Sequence, residues 1–287
     1  MQLLLNTIVL SSLYALLGAG FIITYKSSRV LNFAFADWAL LAGYATVALA
    51  AYFKGTFFTP ALVVLLFFFL LGLGIYRIFI RPMVGESILA SIMLTLAFGV
   101  IINAVTVLLW KNEIATIRFW GTGSYQWSDA VFLSKMDLLT AGSVFFLFLG
   151  LAVFYRYTKI GRQMRATAEN ILLSSQRGMN IYFITGVTWG IGIFTIAIAG
   201  ILFGANYGVS MNIHNTALIG ISVAMVGGLD SLIGTIPAAF IIALSQKLAV
   251  FYINPRLSDT VPYIFIMIIL IIKPWGLFGT EEEVERV

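Results

Sequence analysis

Residues 2–25, QLLLNTIVLSSLYALLGAGFIITY, form a stretch of largely apolar side chains without a single charge. An α-helix needs about 20 predominantly apolar residues to cross the hydrocarbon core of a bilayer. A secretory signal peptide normally begins with a basic segment and has a shorter apolar core, whereas no basic residue precedes this stretch. The sequence therefore predicts a retained membrane-spanning helix at 2–25.

Similar apolar stretches recur along the rest of the chain. They lie at about 31–53, 59–80, 86–110, 137–157, 181–205 and 259–273. A further apolar region at 215–252 is interrupted by Gly227, Gly228 and Asp230. This region is compatible with two short crossings or with a re-entrant pair of half-helices, because irregular backbone at membrane depth is tolerated only where protein or a water-filled cavity covers it.

The composition supports a membrane protein and excludes several other classes. The 287 residues are 61% hydrophobic and 10% charged, whereas soluble domains carry about 25% charged residues. The net charge of +5 is scattered along the chain rather than gathered into a patch for nucleic acid. Since the chain has no cysteine, disulfides and thiolate metal sites are excluded. We predict an all-α fold, a polytopic bundle of about eight or nine spans forming one domain over 1–287.

The distribution of Lys and Arg predicts the orientation of this bundle. With the N-terminus outside and two crossings in 215–252, eleven basic residues fall inside and five outside. The eleven are Lys26, Arg29, Arg77, Arg81, Arg156, Lys159, Arg162, Arg165, Arg177, Lys273 and Arg286, and the five are Lys54, Lys111, Arg118, Lys135 and Arg256. We therefore expect an external N-terminus and a cytoplasmic C-terminus.

Two loops between the apolar stretches are longer than the others. The predicted external loop, at about 111–136, contains Phe119, Trp120, Tyr125 and Trp127. These aromatic residues suit either an interfacial belt or part of a docking surface for an external binding protein. The predicted cytoplasmic loop lies at about 156–180.

Within the cytoplasmic loop, residues 161–176 show the periodicity of an amphipathic helix. The apolar face is formed by Met164, Ala168, Ile171 and Leu172, and the polar arc by Arg162, Arg165, Glu169 and Gln176. Gly178 stands where a helix commonly ends. Such a helix can lie on the membrane surface or contact another protein.

The order of residues in this loop favours the second alternative. Residues 158–170, TKIGRQMRATAEN, followed by 178–180, GMN, resemble the coupling loop of branched-chain amino acid ABC transporter permeases of the LivH family. The matching positions are Thr158, Gly161, Arg165, Ala166, Ala168, Asn170, Gly178 and Asn180. Residues 29–34 (RVLNFA), 81–82 (RP) and 273–279 (KPWGLFG) resemble the same family, in the same order along the chain.

This resemblance implies a permease subunit of an ATP-driven importer in a bacterial or archaeal cell membrane. Its partners would be a second permease (a LivM-like chain or a copy of itself), two ATP-binding subunits and an extracellular solute-binding protein. The residues implied in contact with the ATPase are Gly161, Arg162, Arg165, Ala166, Ala168, Glu169 and Gly178. The chain lacks a G-x-x-x-x-G-K-[ST] loop, so we expect it to be no enzyme and to bind no cofactor.

Two acidic residues are candidates for the solute pathway, because a carboxylate inside a span costs about 2.5–3.5 kcal/mol on insertion scales. Asp37 follows Asn32 near the predicted inner end of the second span, and Asp230 follows Gly227 and Gly228. Asp37 could instead be an interfacial carboxylate that pairs with Arg29, and Asp230 could serve a turn or cap the next helix.

The chain departs from the family pattern at both places. The family usually has N-F-A-H-G-[ED] at the first and G-G-L-G-S at the second, whereas this chain has Phe35, Ala36 and Asp230 there.

Two other classes of function place different demands on the sequence. An intramembrane hydrolase needs a zinc pair, a serine dyad or paired aspartates, and the single histidine, His214, is expected to be a solvated residue of an outer loop. No catalytic or metal-binding group is therefore predicted. An ion-coupled secondary transporter or channel remains the alternative, with Asp37 or Asp230 as its acidic group.

Overall fold

A computed structural model describes residues 1–53, 57–111, 113–116, 123–128 and 131–280. Lys54, Arg118 and Arg286 of the charge count, and Phe119 and Trp120 of the predicted aromatic loop, lie outside these ranges. The first helices are α1 (Gln2–Ser28), α2 (Phe35–Tyr52), α3 (Phe58–Ile75, continued by a π turn at Tyr76–Ile80 and a 3₁₀ turn at Arg81–Met83) and α4 (Ile88–Trp110). A hairpin of β1 (Ser124–Ser128) and β2 (Val131–Ser134) follows.

The remaining elements are again helices. They are α5 (Lys135–Tyr157), α6 (Lys159–Glu169), α7 (Ile171–Gln176), α8 (Ile181–Tyr207), α9 (Asn212–Ala217), α10 (Ile219–Gly227), α11 (Thr235–Tyr252), a 3₁₀ turn at Pro255–Leu257 and α12 (Val261–Ile272). Within the described ranges, α1 to α5, α8 and α11 are long and apolar enough to cross a membrane, and α12 is a shorter apolar helix. The predicted polytopic helical bundle is confirmed, and the small hairpin is an addition that the sequence did not indicate.

Helices α1 and α8 form the centre of the bundle. In the most apolar 18-residue stretch of each of these helices, 83% of the residues are buried, against 22% in α4 and 11% in α5. The two helices approach closely because a glycine on one helix faces a side chain on the other. A Cβ atom on Gly20 of α1 would lie 2.5 Å from Ile196 Cγ1 of α8. Near the end of α1, Trp189 Nε1 donates to Ser28 Oγ at 3.1 Å. Small residues give helices in a membrane this close contact.

The bundle has two ends that side-chain contacts identify. At the hairpin end, Gln2 Nε2 donates to the Phe132 carbonyl at 2.9 Å, and the Phe132 N–H donates back to Gln2 Oε1 at 2.9 Å. At the opposite end, called the α6 end below, Lys26 Nζ donates to the Asp230 carbonyl at 2.9 Å. Helix α1 therefore runs from the hairpin end to the α6 end.

The glycine-broken region at 215–252 runs from one end of the bundle to the other and back. The backbones of Val209 and Ala115 pair at the hairpin end, α9 and α10 lead away from it, and Asp230 lies beside Lys26 at the α6 end. Helix α11 then returns. Two crossings are thus favoured over a re-entrant pair, and the first crossing is divided between the short helices α9 and α10.

The contact between α2 and α8 provides a test of the packing. A Cβ atom on Gly200 would overlap the Ala39 carbonyl oxygen, whereas one on Gly142 of α5 would meet no atom of the described residues within 4 Å. We expect Gly200→Ala to lower the apparent melting temperature of the purified protein, since overpacking costs about 1–3 kcal/mol. Gly142→Ala is the matched control and should melt like the parent. Equal melting of the two variants would contradict this packing.

Candidate transport and coupling sites

Helix α2 begins inside the bundle rather than at its surface. Residues 29–34 are not helical, and the side chain of Thr95 on α4 forms hydrogen bonds with the backbone of this segment. Thr95 Oγ1 donates to the Leu31 carbonyl at 2.9 Å and accepts from the Phe33 N–H at 3.3 Å. Non-helical backbone at membrane depth needs such partners, so this segment can enter the bundle.

Two contacts place the start of α2 near the middle of the bundle. The Phe35 ring packs edge-on against Phe21, with ring centroids 5.3 Å apart. Phe21 lies seven residues before the end of α1, or about 10 Å along the helix. Seven residues beyond Asp37, Tyr44 donates its hydroxyl to the Glu113 carbonyl at 2.9 Å, in a loop at the hairpin end. Asp37 therefore lies deep in the bundle, between its two ends.

The Asp37 carboxylate joins α2, α4 and α9. Its residue is 3% exposed. Asn103 Nδ2 of α4 donates to Asp37 Oδ1 at 3.1 Å, and His214 Nδ1 of α9 lies 2.8 Å from the same oxygen. Gly99 leaves room for the carboxylate, because a Cβ atom there would lie 2.7 Å from Asp37 Oδ2. A carboxylate at membrane depth is costly, and these partners offset its desolvation.

The position of His214 corrects the expectation of a solvated outer loop. After α8 ends at the hairpin end, the chain turns back into the bundle through Val209, whose backbone pairs with Ala115, and α9 carries His214 down to Asp37. Asp37 is indeed in the first turn of its helix, but the partners described for its carboxylate are Asn103 and His214 rather than Arg29. Among the described residues, no third metal-ligating side chain joins the pair.

Asn32 lies in the non-helical segment that precedes α2, not in a helix as the sequence predicted. It is 1% exposed, and its Nδ2 atom has no hydrogen-bond partner among the described residues. A buried amide donor without a partner costs about 1–3 kcal/mol. Such a donor is available to a ligand that enters the bundle.

Asp230, Gly227 and Gly228 lie in a different place, at the α6 end. The Asp230 carboxylate accepts hydrogen bonds from the Thr280 N–H, at 3.0 Å, and from the Thr280 hydroxyl. The N–H groups of Leu277 and Phe278 donate to the carbonyls of Val226 and Gly227 at 2.8 and 3.1 Å. The segment 276–280 thus satisfies the carbonyls at the end of α10, and Asp230 holds this segment rather than capping the next helix.

The segment 158–178, called the lever below, begins with a tight turn out of α5. The Thr158 hydroxyl donates to the Phe154 carbonyl at 2.7 Å and accepts from the Gly161 N–H at 2.9 Å, which caps α6. A Cβ atom on Gly161 would overlap the Phe154 carbonyl oxygen. Only glycine therefore lets α6 fold back this closely on α5.

The lever contains two helices, which corrects the prediction of one helix over 161–176. Helix α6 ends at Glu169, and Asn170 starts α7 by accepting from the Leu173 N–H at 2.9 Å. Met164 is buried, but Ile171 and Leu172, predicted on the same face, are 49% and 69% exposed. Because the break reorients the chain, these two residues do not continue the Met164 face.

Each predicted coupling residue has a defined place on the lever. Gly161 is buried, Ala166 and Ala168 are half-buried, and Arg162, Arg165, Glu169 and Gly178 are exposed. Gly178 has a φ of 74° and ends α7, where the Met179 N–H donates to the Ser174 carbonyl at 3.2 Å. Asn180 then caps α8 by accepting from the Phe183 N–H at 3.1 Å.

Comparison with known proteins assigns a family to this arrangement. Residues 3–270 match the family described as "Branched-chain amino acid transport system / permease component". The chain belongs to this permease family.

Curated relatives of this permease come from bacteria and an archaeon. It is 26% identical to the high-affinity branched-chain amino acid transport system permease protein LivH of Salmonella typhimurium, over 100% of this chain and 97% of that protein. It is 24% identical to BraD of Pseudomonas aeruginosa, over 100% of this chain and 98% of that protein. It is 25% identical to a probable LivH of Methanocaldococcus jannaschii, over 96% of this chain and 91% of that protein.

In this permease, most of the motif residues that carry the resemblance shape the backbone. Thr158, Asn170 and Asn180 cap helices, Gly161 permits a close approach, and Gly178 ends α7. Asn103 and His214, in contrast, were missed as partners of Asp37. No short motif contains them, since they lie 66 and 177 positions from Asp37 in the sequence.

The contact between His214 and Asp37 predicts a specific pattern of stability. His214→Ala should lower the melting temperature, because Asn103 is then the one partner of the buried carboxylate among the described residues. Losing one partner of a fully buried pair costs about 3–5 kcal/mol, and we expect less here because the His214 side chain is 27% exposed. Adding Asp37→Asn to His214→Ala removes the charge and should recover part of the loss. Asn215→Ala, at an exposed site on α9, is the control. A double variant no more stable than His214→Ala would contradict the pairing.

Proposed function

We propose that this permease forms the membrane pathway of an ATP-driven importer for branched-chain amino acids or related small solutes. It would pair with a second permease, either a LivM-like chain or a copy of itself. Two ATP-hydrolysing subunits would contact the α6 end from the cytoplasm, and an extracellular binding protein would deliver solute at the hairpin end. The N-terminus is then outside and the C-terminus inside, in the cell membrane of a bacterium or archaeon.

The lever is the observation that carries this proposal. Its inner face is fixed to the bundle by Gly161, Met164 and Thr167, all buried. The lever also exposes Arg162, Arg165 and Glu169, followed by Ile171, Leu172 and Leu173 on α7. A helix that is rigidly attached to the spans and exposes both charged and apolar side chains suits contact with a partner whose movement it must transmit.

We propose that the solute contacts Asp37 and Asn32 on its way through the bundle. An amino acid carries an ammonium group, which the Asp37 carboxylate can bind in place of His214, and a carboxylate, which the Asn32 amide can bind. Helix α2 also begins inside the bundle, and the N-terminal end of such a broken helix carries a partial positive charge that favours a carboxylate, as in other transporters. We assign Gly227, Gly228 and Asp230 to the contact at the α6 end that holds residues 276–280 rather than to the solute.

Uptake by the reconstituted complex tests the coupling role of the lever. We expect Arg165→Glu to reduce ATP-dependent uptake of labelled leucine by at least about tenfold. A charge reversal at the contact with the ATPase subunits should cost more than the roughly 1.4 kcal/mol that corresponds to a factor of ten. Insertion into the membrane should stay unchanged, since Arg165 is exposed. Unlabelled isoleucine and valine should compete with leucine.

Lys159→Glu is the matched control for this experiment. It makes the same change in charge on the same helix at an exposed position, and a carboxylate is favoured in the first turn of a helix. Normal uptake by Arg165→Glu, or equal losses in both variants, would count against the coupling role. Uptake driven by an ion gradient, without the ATPase subunits, would favour the alternative of a secondary transporter.

A further inference from the structure

A cavity of about 440 Å³ lies at the α6 end, between α1, α5, α6, α8 and the segment 232–236. Its inner walls are apolar and include Ile23, Phe148 and Met164. Helix α5 is mostly exposed along its length, and Ile233 at the edge of the cavity is 77% exposed. The cavity is therefore open toward the space that lipid chains occupy around a membrane protein.

Three basic side chains line the same cavity. Lys26 is in the last turn of α1, Arg156 is in the last turn of α5, and Arg165 is on the lever. Lys26 donates to the Asp230 carbonyl, but none of the three forms an ion pair with a carboxylate of the described residues. Three cations thus surround an apolar cavity whose described lining residues contain no acid.

We propose that this cavity binds a phospholipid with an anionic headgroup. The phosphate would lie among Lys26, Arg156 and Arg165, and part of an acyl chain would lie against Ile23 and Phe148. Basic pockets between membrane helices bind anionic headgroups, and each basic residue near the membrane surface contributes about 1 kcal/mol. The combination of an apolar interior and a basic rim favours a lipid over an acidic segment of a partner protein.

The position of the cavity gives the bound lipid a structural effect. Met164, Arg165 and Ala168 of the lever line the cavity together with residues of α1 and of the segment 232–236. A lipid in this cavity contacts the lever and α1, so it would stabilise the lever against the spans. This inference rests on the membrane-spanning fold and does not depend on which motor or solute the permease uses.

Native mass spectrometry of the purified full chain tests the proposal with phosphatidylglycerol and phosphatidylcholine added in equal amounts. We expect phosphatidylglycerol to be retained preferentially. Arg156→Gln should weaken its retention about fivefold, the effect of one basic residue at about 1 kcal/mol. Ala152→Trp, which fills the apolar part of the cavity, should also reduce retention.

Two matched variants control for general effects of these changes. Arg177→Gln removes an exposed arginine at the same end, and Val153→Trp adds a large ring beside Ala152 at an exposed position; neither residue lines the cavity. Both should retain phosphatidylglycerol like the parent. Equal retention of the two lipids, equal losses in control and test variants, or equally tight binding of soluble glycerol phosphate would overturn the proposal. Retention of neither lipid, with Arg156→Gln weakening the binding of the ATPase subunits instead, would assign Lys26, Arg156 and Arg165 to a protein partner.

Discussion

A chain that crosses hydrocarbon must satisfy its backbone hydrogen bonds internally, and the architecture of this permease depends on how it meets that requirement at two breaks. Residues 29–34 enter the bundle because Thr95 serves the backbone of Leu31 and Phe33. The end of α10 is satisfied by the N–H groups of Leu277 and Phe278. The first break places Asp37 deep in the bundle, and the second fixes the C-terminal segment to the α6 end.

The two candidate sites are connected through the central helices. Asp37 is held by α4 and α9, while the lever is joined to α5 by Thr158 and Gly161. Helices α1 and α8 pack between the two sites, and the Trp189 side chain forms a hydrogen bond with Ser28 near the α6 end. Close contacts between glycines and neighbouring helices leave little room for independent movement. Displacement of the lever would therefore move whole helices rather than single side chains.

Much of the fold could be predicted from the sequence because the spans are long apolar stretches with few charges. Helices α1, α4, α5 and α8 begin and end close to the predicted limits. The break at Asn170 was missed, since helical periodicity continues through it in the sequence. The start of α2 was placed too early because Leu31, Phe33 and Ala34 are apolar and only Asn32 interrupts them. The partnership of Asp37 with His214 depends on the chain turning back into the bundle after α8. Local sequence carries no signal for that tertiary contact.

An ATP-driven permease requires the lever to face the cytoplasm, where the ATPase subunits are. Because the chain has no cysteine, single cysteines can be labelled without background. Ser175→Cys, at an exposed position on α7, and Tyr125→Cys, at an exposed position on the hairpin, report the two ends of the bundle. In intact cells, a membrane-impermeant maleimide should label position 125 but reach position 175 only after the membrane is opened. Labelling of position 175 from outside intact cells would contradict the account.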